Sequence, residues 1–140
     1  TIGIIGDGED NPAKIGISIY FVQTGAIGYN TTNGSTQDAL ITASGIIPDN
    51  TNWHHLVVTF DRSLASANIL TYLDGSLVST VNKTAFSPSD LNSSNAMGLG
   101  CYPVLAQSMK GNLDEFSIWS RILTSAEVTS LYNAGAGLSL

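Results

Sequence analysis

The feature that most constrains this chain is a period-two alternation of apolar side chains within short segments. Large apolar residues occupy every second position of residues 15–22 and again of residues 56–60. Because successive side chains of a β-strand point to opposite faces, these segments predict strands with one buried face. Two further segments flank the step Asp74-Gly75, whose residue types suit the positive φ angles of a two-residue hairpin turn. The pattern therefore favours an antiparallel β structure.

Turn residues separate several more apolar segments along the chain. The segments predicted as strands are residues 2–5, 15–22, 25–29, 39–43, 53–60, 69–73, 76–81, 96–100 and 112–119. A helix is predicted after them, because Thr124 and Glu127 have the spacing of a capping box. Val128 and Tyr132 follow at helical spacing, and Gly135 suits the C-terminal cap. The sequence thus predicts an all-β, antiparallel jelly-roll β-sandwich with one short C-terminal helix, in a single domain spanning residues 1–140.

Charge is scarce in this sequence, and its sign excludes several classes of protein. Charged residues make up 11% of the chain, against roughly 25% in an ordinary soluble domain. The Lys and Arg residues are scattered and the net charge is −6, so there is no basic stripe for a phosphate backbone or an anionic lipid surface. No apolar run approaches the roughly 18–20 residues of a membrane helix. We therefore expect neither nucleic-acid binding nor membrane insertion.

Three phrases, in this order, go beyond a general β pattern. They are residues 53–61 (WHHLVVTFD), residues 72–78 (YLDGSLV) and residues 110–124 (KGNLDEFSIWSRILT). In these phrases the sequence resembles the laminin-G-like, concanavalin A-like jelly-roll lectin domains, a superfamily that also holds the pentraxins. The resemblance runs from Ile15 to Tyr132 and implies a sandwich of two antiparallel sheets.

The start of the chain departs from the pattern of these domains. Members of the family usually begin with two further strands, whereas this chain starts at the next one, residues 2–5. We expect that the first N-terminal strands lie upstream in a longer polypeptide, or that another chain supplies them. An incomplete sandwich leaves unpaired backbone groups at an edge, which invites strand addition by a neighbour, and hence a homo-oligomer or a larger assembly.

An acidic loop precedes the strand predicted at residue 15. It holds the oxygen-bearing side chains of Asp7, Glu9, Asp10 and Asn11, and calcium takes about six to eight oxygen ligands. The resemblance implies a calcium-binding Asp in this connection, which makes Asp10 the first candidate ligand and Asp7 the second. A solvated acidic turn is the favoured interpretation of this loop, and a site for one calcium ion is the alternative. The double-calcium site of pentraxins is not expected, because residues 101–108 carry no carboxylate.

Two pairs of adjacent polar residues look like chemical sites. On a strand the rings of His54 and His55 point to opposite faces, so they cannot share one metal ion. We expect one ring to pack inside with a hydrogen bond and the other to lie at the surface. Asp114 and Glu115 are adjacent in the same way and do not form the carboxylate pair of a glycoside hydrolase. The resemblance implies instead that Asp114 accepts hydrogen bonds from backbone amides, and we expect no enzymatic activity.

Aromatic side chains at loop edges are the candidates for stacking on a ligand. Tyr102 lies in the loop that the resemblance places near ligands, and Tyr29 lies at another loop edge. The favoured interpretation of both is an ordinary surface or hinge aromatic residue, and stacking on a ligand is the alternative. Trp53 and Trp119 stand in strand-like phrases and are expected to pack inside. The residues predicted to be buried are Ile17, Ile19, Leu56, Val58, Phe60, Leu73, Ile118 and Trp119.

Two functions agree with these features. The first is a non-catalytic extracellular recognition or adhesion module that binds a glycan or a protein through its loops. The second is a structural assembly subunit, such as a virion decoration, surface-layer or filament protein, in which the sandwich is a packing unit. Both hypotheses place the chain outside the cell, at a cell surface or at a virion surface.

Overall fold

A computed structural model describes residues 2–6, 15–33, 37–48, 51–61, 63–64, 66, 68–82, 97–101 and 109–136. Its strands are β1 Ile2–Gly6, β2 Ile15–Val22, β3 Ala26–Asn33, β4 Gln37–Ile41, β5 Leu56–Phe60, β6 Ile69–Leu73, β7 Ser76–Val81 and β8 Gly98–Leu99. Helix α1 spans Ser125–Tyr132, and a 3-10 turn, Asn133–Gly135, follows it. The chain divides into two compact units: unit 1 is Thr1–Gly45 with Ala85–Asn112, and unit 2 is Ile46–Thr84 with Leu113–Leu140.

Unit 1 contains a five-stranded antiparallel sheet with the strand order β4-β3-β2-β1-β8. The hairpin of β2 and β3 is its longest ladder, and it turns at Gly25, whose φ is 71°. Gly28 lies opposite Tyr20 in this ladder, and a Cβ atom at Gly28 would collide with the Tyr20 ring. The Tyr20 ring thus lies over the bare glycine backbone and is 8% exposed. Ile27 is fully buried in the same sheet, and its amide donates to Oγ1 of Thr42 at 2.9 Å.

Unit 2 contains a three-stranded antiparallel sheet in the order β5-β6-β7. The central strand β6 is buried at Ile69, Thr71, Tyr72 and Leu73. β6 and β7 meet at the predicted two-residue turn, where Leu73 pairs with Ser76 and both turn residues have positive φ, 50° and 78°. This hairpin is confirmed, because its residue types allow the left-handed backbone that such a turn requires.

The predicted C-terminal helix is also confirmed. Oγ1 of Thr124 accepts from the amide of Glu127, and the Glu127 carboxylate accepts from the amide of Thr124, which is the reciprocal capping box. The helix buries Val128 against Tyr72 and Leu123. The C-terminal cap differs from the prediction: Asn133 takes the left-handed conformation there, with φ 48°. No helix in the described part of the chain is long and apolar enough to cross a membrane.

The predicted last strand, residues 112–119, is wrong. These residues are all described, and none of them joins a ladder. Glu115 has φ 53°, which breaks the extended backbone that a strand needs. Outside any ladder, Ile118 and Trp119 remain 66% and 42% exposed, so their predicted burial is wrong as well.

The other burial predictions hold in part. Leu73 is buried, as predicted. The remaining predicted core residues are only half-buried, namely Ile17, Ile19, Leu56, Val58 and Phe60. In β2 the face of Ser18 and Tyr20 is the more deeply buried one, because the Tyr20 ring covers Gly28. The predicted burial of Trp53 is wrong, because β5 begins only at Leu56 and Trp53 is 67% exposed.

Candidate functional site

The two histidines are held by the turn between β6 and β7. Nδ1 of His54 lies 2.8 Å from Oδ2 of Asp74. The other carboxylate oxygen, Oδ1, accepts from the amide of His55 at 2.9 Å, and the Asp74 amide donates to the His55 carbonyl at 2.9 Å. The side chain and the backbone of Asp74 therefore both bind the segment that leads into β5.

The same turn packs on the C-terminal half of α1. The ring of His55 stacks on Tyr132 with 6.0 Å between centroids, and Oγ1 of Thr129 donates to the Gly75 carbonyl at 3.2 Å. Burial lowers the pKa of the His55 imidazole below its usual value, although the nearby Asp74 charge acts in the opposite direction. The prediction of one inner and one surface histidine is wrong, because both residues precede β5 and both are half-buried. Their geometry is that of a structural connection between the hairpin and the helix.

The other predicted site residues divide into two groups. The proposed calcium ligands and one proposed stacking residue lie outside the described residues, namely Asp7, Glu9, Asp10, Asn11 and Tyr102. Tyr29 is described and lies inside β3, where it is 1% exposed. Its predicted place at a free loop edge is therefore wrong, because a ring that is buried within the sheet offers no face to a ligand.

The adjacent carboxylates behave as expected for a structural pair. The amide of Glu115 donates to Oδ1 of Asp114 at 2.9 Å, and both side chains are exposed. Asp114 thus holds a backbone amide at the bend that interrupts this segment. Among the described residues, no group of three or more His, Cys, Asp or Glu side chains is placed to hold a metal ion.

A groove that the sequence did not predict runs along α1 in unit 2. Its volume is about 300 Å³. The polar and aromatic lining consists of Trp119, Arg121, Glu127 and Ser130. The apolar lining consists of Leu123, Ala126 and Leu131. The groove thus combines an apolar helix face with an exposed indole and a pair of opposite charges.

A bidentate ion pair lies among the lining residues of this groove. Nη2 of Arg121 donates to Oε1 of Glu127 at 2.7 Å, and Nη1 donates to Oε2 at 3.0 Å. The hydrogen bonds from Arg121 and then from Thr124 lower the pKa of Glu127 to about 2, so this carboxylate is charged at every physiological pH. The guanidinium also lies 5.7 Å from the centroid of the Trp119 ring, a distance at which cations and aromatic faces attract.

The indole of Trp119 has a defined orientation. Its Nε1 donates to Oγ of Ser117 at 3.2 Å, while the ring remains 42% exposed. Sequence reasoning missed this site because it assigned Trp119 to the interior of a strand. The available signal was the capping box, since a Glu127 side chain turned back toward Thr124 also faces the residues that precede the helix.

A comparison with protein families shows the class of this domain. A family model, Laminin_G_3 of the concanavalin A-like lectin/glucanases superfamily, matches residues 1–129, and the chain belongs to this family. The family is one of β-sandwiches, so the predicted jelly-roll class is confirmed together with the antiparallel strands and the short helix.

One solved structure is similar to the chain. It is the 2.1 Å crystal structure of an S-layer domain-containing protein (residues 221–444) from Clostridium thermocellum ATCC 27405, with 18% sequence identity and a TM-score of 0.38. The match covers 93% of this chain and 62% of that one, so the chain spans less than two thirds of its length. A comparison with curated protein sequences gives no match.

Proposed function

We propose that this domain is a non-catalytic extracellular recognition or adhesion module that binds a glycan or a protein ligand. Its membership of the concanavalin A-like lectin/glucanases superfamily supports the binding of a glycan or a protein. Its low charge content and net charge of −6 argue against nucleic-acid and anionic-membrane partners.

The observation that carries the proposal is a run of exposed apolar side chains between residues 113 and 122. Their exposed fractions lie between 41% and 66%; the residues are Leu113, Phe116, Ile118, Trp119 and Ile122. Single exposed apolar side chains are ordinary, but several large ones so close together in the chain support a surface that meets a partner. This run gives the module a recognition surface.

The groove supports binding without catalysis. Glycoside hydrolysis needs two carboxyl groups, one of which must be protonated near neutral pH to act as the general acid. Among the lining residues of the groove Glu127 is the single carboxylate, and its pKa of about 2 keeps it ionised. Glu127 therefore cannot donate the proton that a glycosidase delivers to its leaving group.

A calcium ion at the acidic loop remains part of the proposal. Asp10 and Asp7 are its first candidate ligands, with Glu9 and Asn11 beside them. The family resemblance and the hard oxygen donors of this loop support such a site.

A glycan array tests the proposed function. The labelled domain is applied in 2 mM calcium chloride and, in parallel, in EDTA. Reproducible binding to a defined set of glycans supports recognition, and its loss in EDTA supports the calcium site. Absence of glycan binding together with ordered multimers in light scattering contradicts recognition and favours the structural assembly subunit.

A further inference from the structure

We propose that the groove along α1 binds one ring of a neutral saccharide, which lies against the indole of Trp119. This inference rests on the proposed recognition function and assigns a site to it. None of the residues that line the groove is a candidate calcium ligand, so we expect this binding to persist without calcium.

The apolar side of the groove suits the C–H face of a sugar ring. The Trp119 ring is 42% exposed, and its bond to Ser117 holds it in one orientation. A large aromatic face that is already ordered contributes apolar contact at little cost in conformational entropy. Ala126 and Leu131 extend this apolar surface along the helix.

The polar side of the groove suits hydroxyl groups. In the described part of the chain, Oε1 of Glu127 accepts a hydrogen bond only from Arg121, so it retains a lone pair. Arg121 has five N–H donors, and its hydrogen bonds to Glu127 and to the Ile122 carbonyl use three of them. Because a hydroxyl both donates and accepts, adjacent hydroxyls of a sugar match an acceptor and a donor that lie side by side.

Ser130 adds a second polar position on the helix. Its Oγ donates to the Ala126 carbonyl at 2.9 Å, which leaves the oxygen lone pairs as acceptors. Hydrogen-bonding groups therefore lie beside the apolar patch: the paired side chains of Arg121 and Glu127, and the Ser130 hydroxyl. Such a combination of a few placed polar groups around apolar surface is typical of small-molecule sites.

The charge of the groove selects a neutral ligand. The Arg121 charge is neutralised by Glu127 at 2.7 Å. An acidic sugar would have to compete with this carboxylate for the guanidinium and would meet a chain with a net charge of −6. The volume of about 300 Å³ lies at the lower end of ligand pockets, roughly 300–1,000 Å³, and fits one ring of a longer chain.

The test is a titration with defined oligosaccharides in EDTA. The probes are the neutral hexamers of cellulose, xylan, mannan and chitin, with the acidic hexamer of polygalacturonate as the charged counterpart. Isothermal calorimetry measures the affinity of the wild type, of Trp119→Ala and of the control Trp53→Ala, which removes the other tryptophan, 67% exposed. Ala126→Trp fills the groove from the helix and leaves Trp119 in place.

We expect at least one neutral hexamer to bind the wild type and the Trp53→Ala variant with affinities that agree within about twofold. The affinity of Trp119→Ala and of Ala126→Trp should each fall about tenfold or more, which corresponds to about 1.4 kcal/mol. Circular dichroism melting checks each variant, and Ala126→Trp decides if Trp119→Ala does not fold. Unchanged affinity in the folded groove variants overturns the groove and leaves the recognition function intact. Preference for the acidic hexamer overturns the neutral class. If no neutral hexamer binds the wild type, the inference is overturned, while protein binding remains open to the recognition module.

Discussion

Oδ2 of Asp74 lies 2.8 Å from Nδ1 of His54. The tight turn between β6 and β7 is thereby tied to a segment twenty residues earlier. The same carboxylate accepts from the amide of His55. Asp74, whose residue type suits the turn, thus also binds the segment just before β5.

Removal of the Asp74 carboxylate should destabilise unit 2. Asp74→Ala loses both hydrogen bonds to the preceding segment and places alanine at φ 50°, and we expect a loss of about 2–4 kcal/mol in the free energy of unfolding. Asn tolerates the left-handed backbone and keeps one acceptor oxygen, so Asp74→Asn should lower the free energy of unfolding by only about 1–2 kcal/mol. Urea unfolding measures both. An Asp74→Ala variant as stable as the wild type would contradict this role.

Gly75 should tolerate a methyl group poorly for two separate reasons. Its φ is 78°, and an added Cβ atom would lie 3.0 Å from Cδ1 of Tyr132. Gly45 is a matched control, because its φ is 77° and nothing lies within 4 Å of the added atom. We expect Gly45→Ala to cost about 1–2 kcal/mol from the backbone alone and Gly75→Ala about 2–4 kcal/mol. Equal costs would show that the contact with Tyr132 does not matter.

The stability of unit 2 should depend on the ionisation of His55. Because burial lowers the pKa of this imidazole in the folded chain, the unfolded chain binds more protons as pH falls below the ordinary value of 6.5. Stability is therefore lost as pH falls from 7.5 towards 5.5. His55→Phe keeps an aromatic ring against Tyr132 and removes the titrating group, so its unfolding free energy should fall less over this range. Parallel pH curves for the two proteins would contradict the prediction.

The contribution of Glu127 to stability should change at a more acidic pH than that of His55. Its pKa is lowered from 4.5 to about 2, so its favourable contribution is complete above pH 4.5 and disappears as pH falls through about 2. Glu127→Gln retains a capping residue but cannot pair with Arg121. The difference in helix stability between wild type and Glu127→Gln, followed by circular dichroism during thermal melting, should shrink between pH 5 and pH 2. A difference that stays constant would show that the charge of Glu127 does not support the helix.

Local chemistry explains which parts of the fold the sequence predicted. The turn at Asp74 and Gly75 needs two residues that accept positive φ, and the capping box needs Thr124 and Glu127 three positions apart. Both signals lie within four consecutive residues, so no knowledge of the tertiary structure was required. The prediction of 112–119 failed because Glu115 adopts φ 53°, a backbone angle that the apolar and aromatic residues around it do not indicate.

The candidate site was less predictable because its parts are distant in sequence or depend on their neighbours. The sequence pattern predicts His54 and His55 to lie on a strand, but β5 begins at Leu56, so the rule that adjacent strand residues face opposite sides does not apply to them. Arg121 and Glu127 are six residues apart and meet only because the cap turns the carboxylate back. Trp119 stands in a strand-like phrase, and its exposure depends on a bend four residues earlier that periodicity does not reveal.

The two indole N–H signals of this chain give the most direct test of recognition at the groove. We would record ¹H–¹⁵N spectra of the wild type in EDTA while adding the neutral hexamers, with Trp53→Phe to assign the remaining signal to Trp119. We predict a saturable shift of the Trp119 indole signal, with the Trp53 signal unmoved. Saturable binding that moves the Trp53 signal and leaves Trp119 unchanged would contradict it.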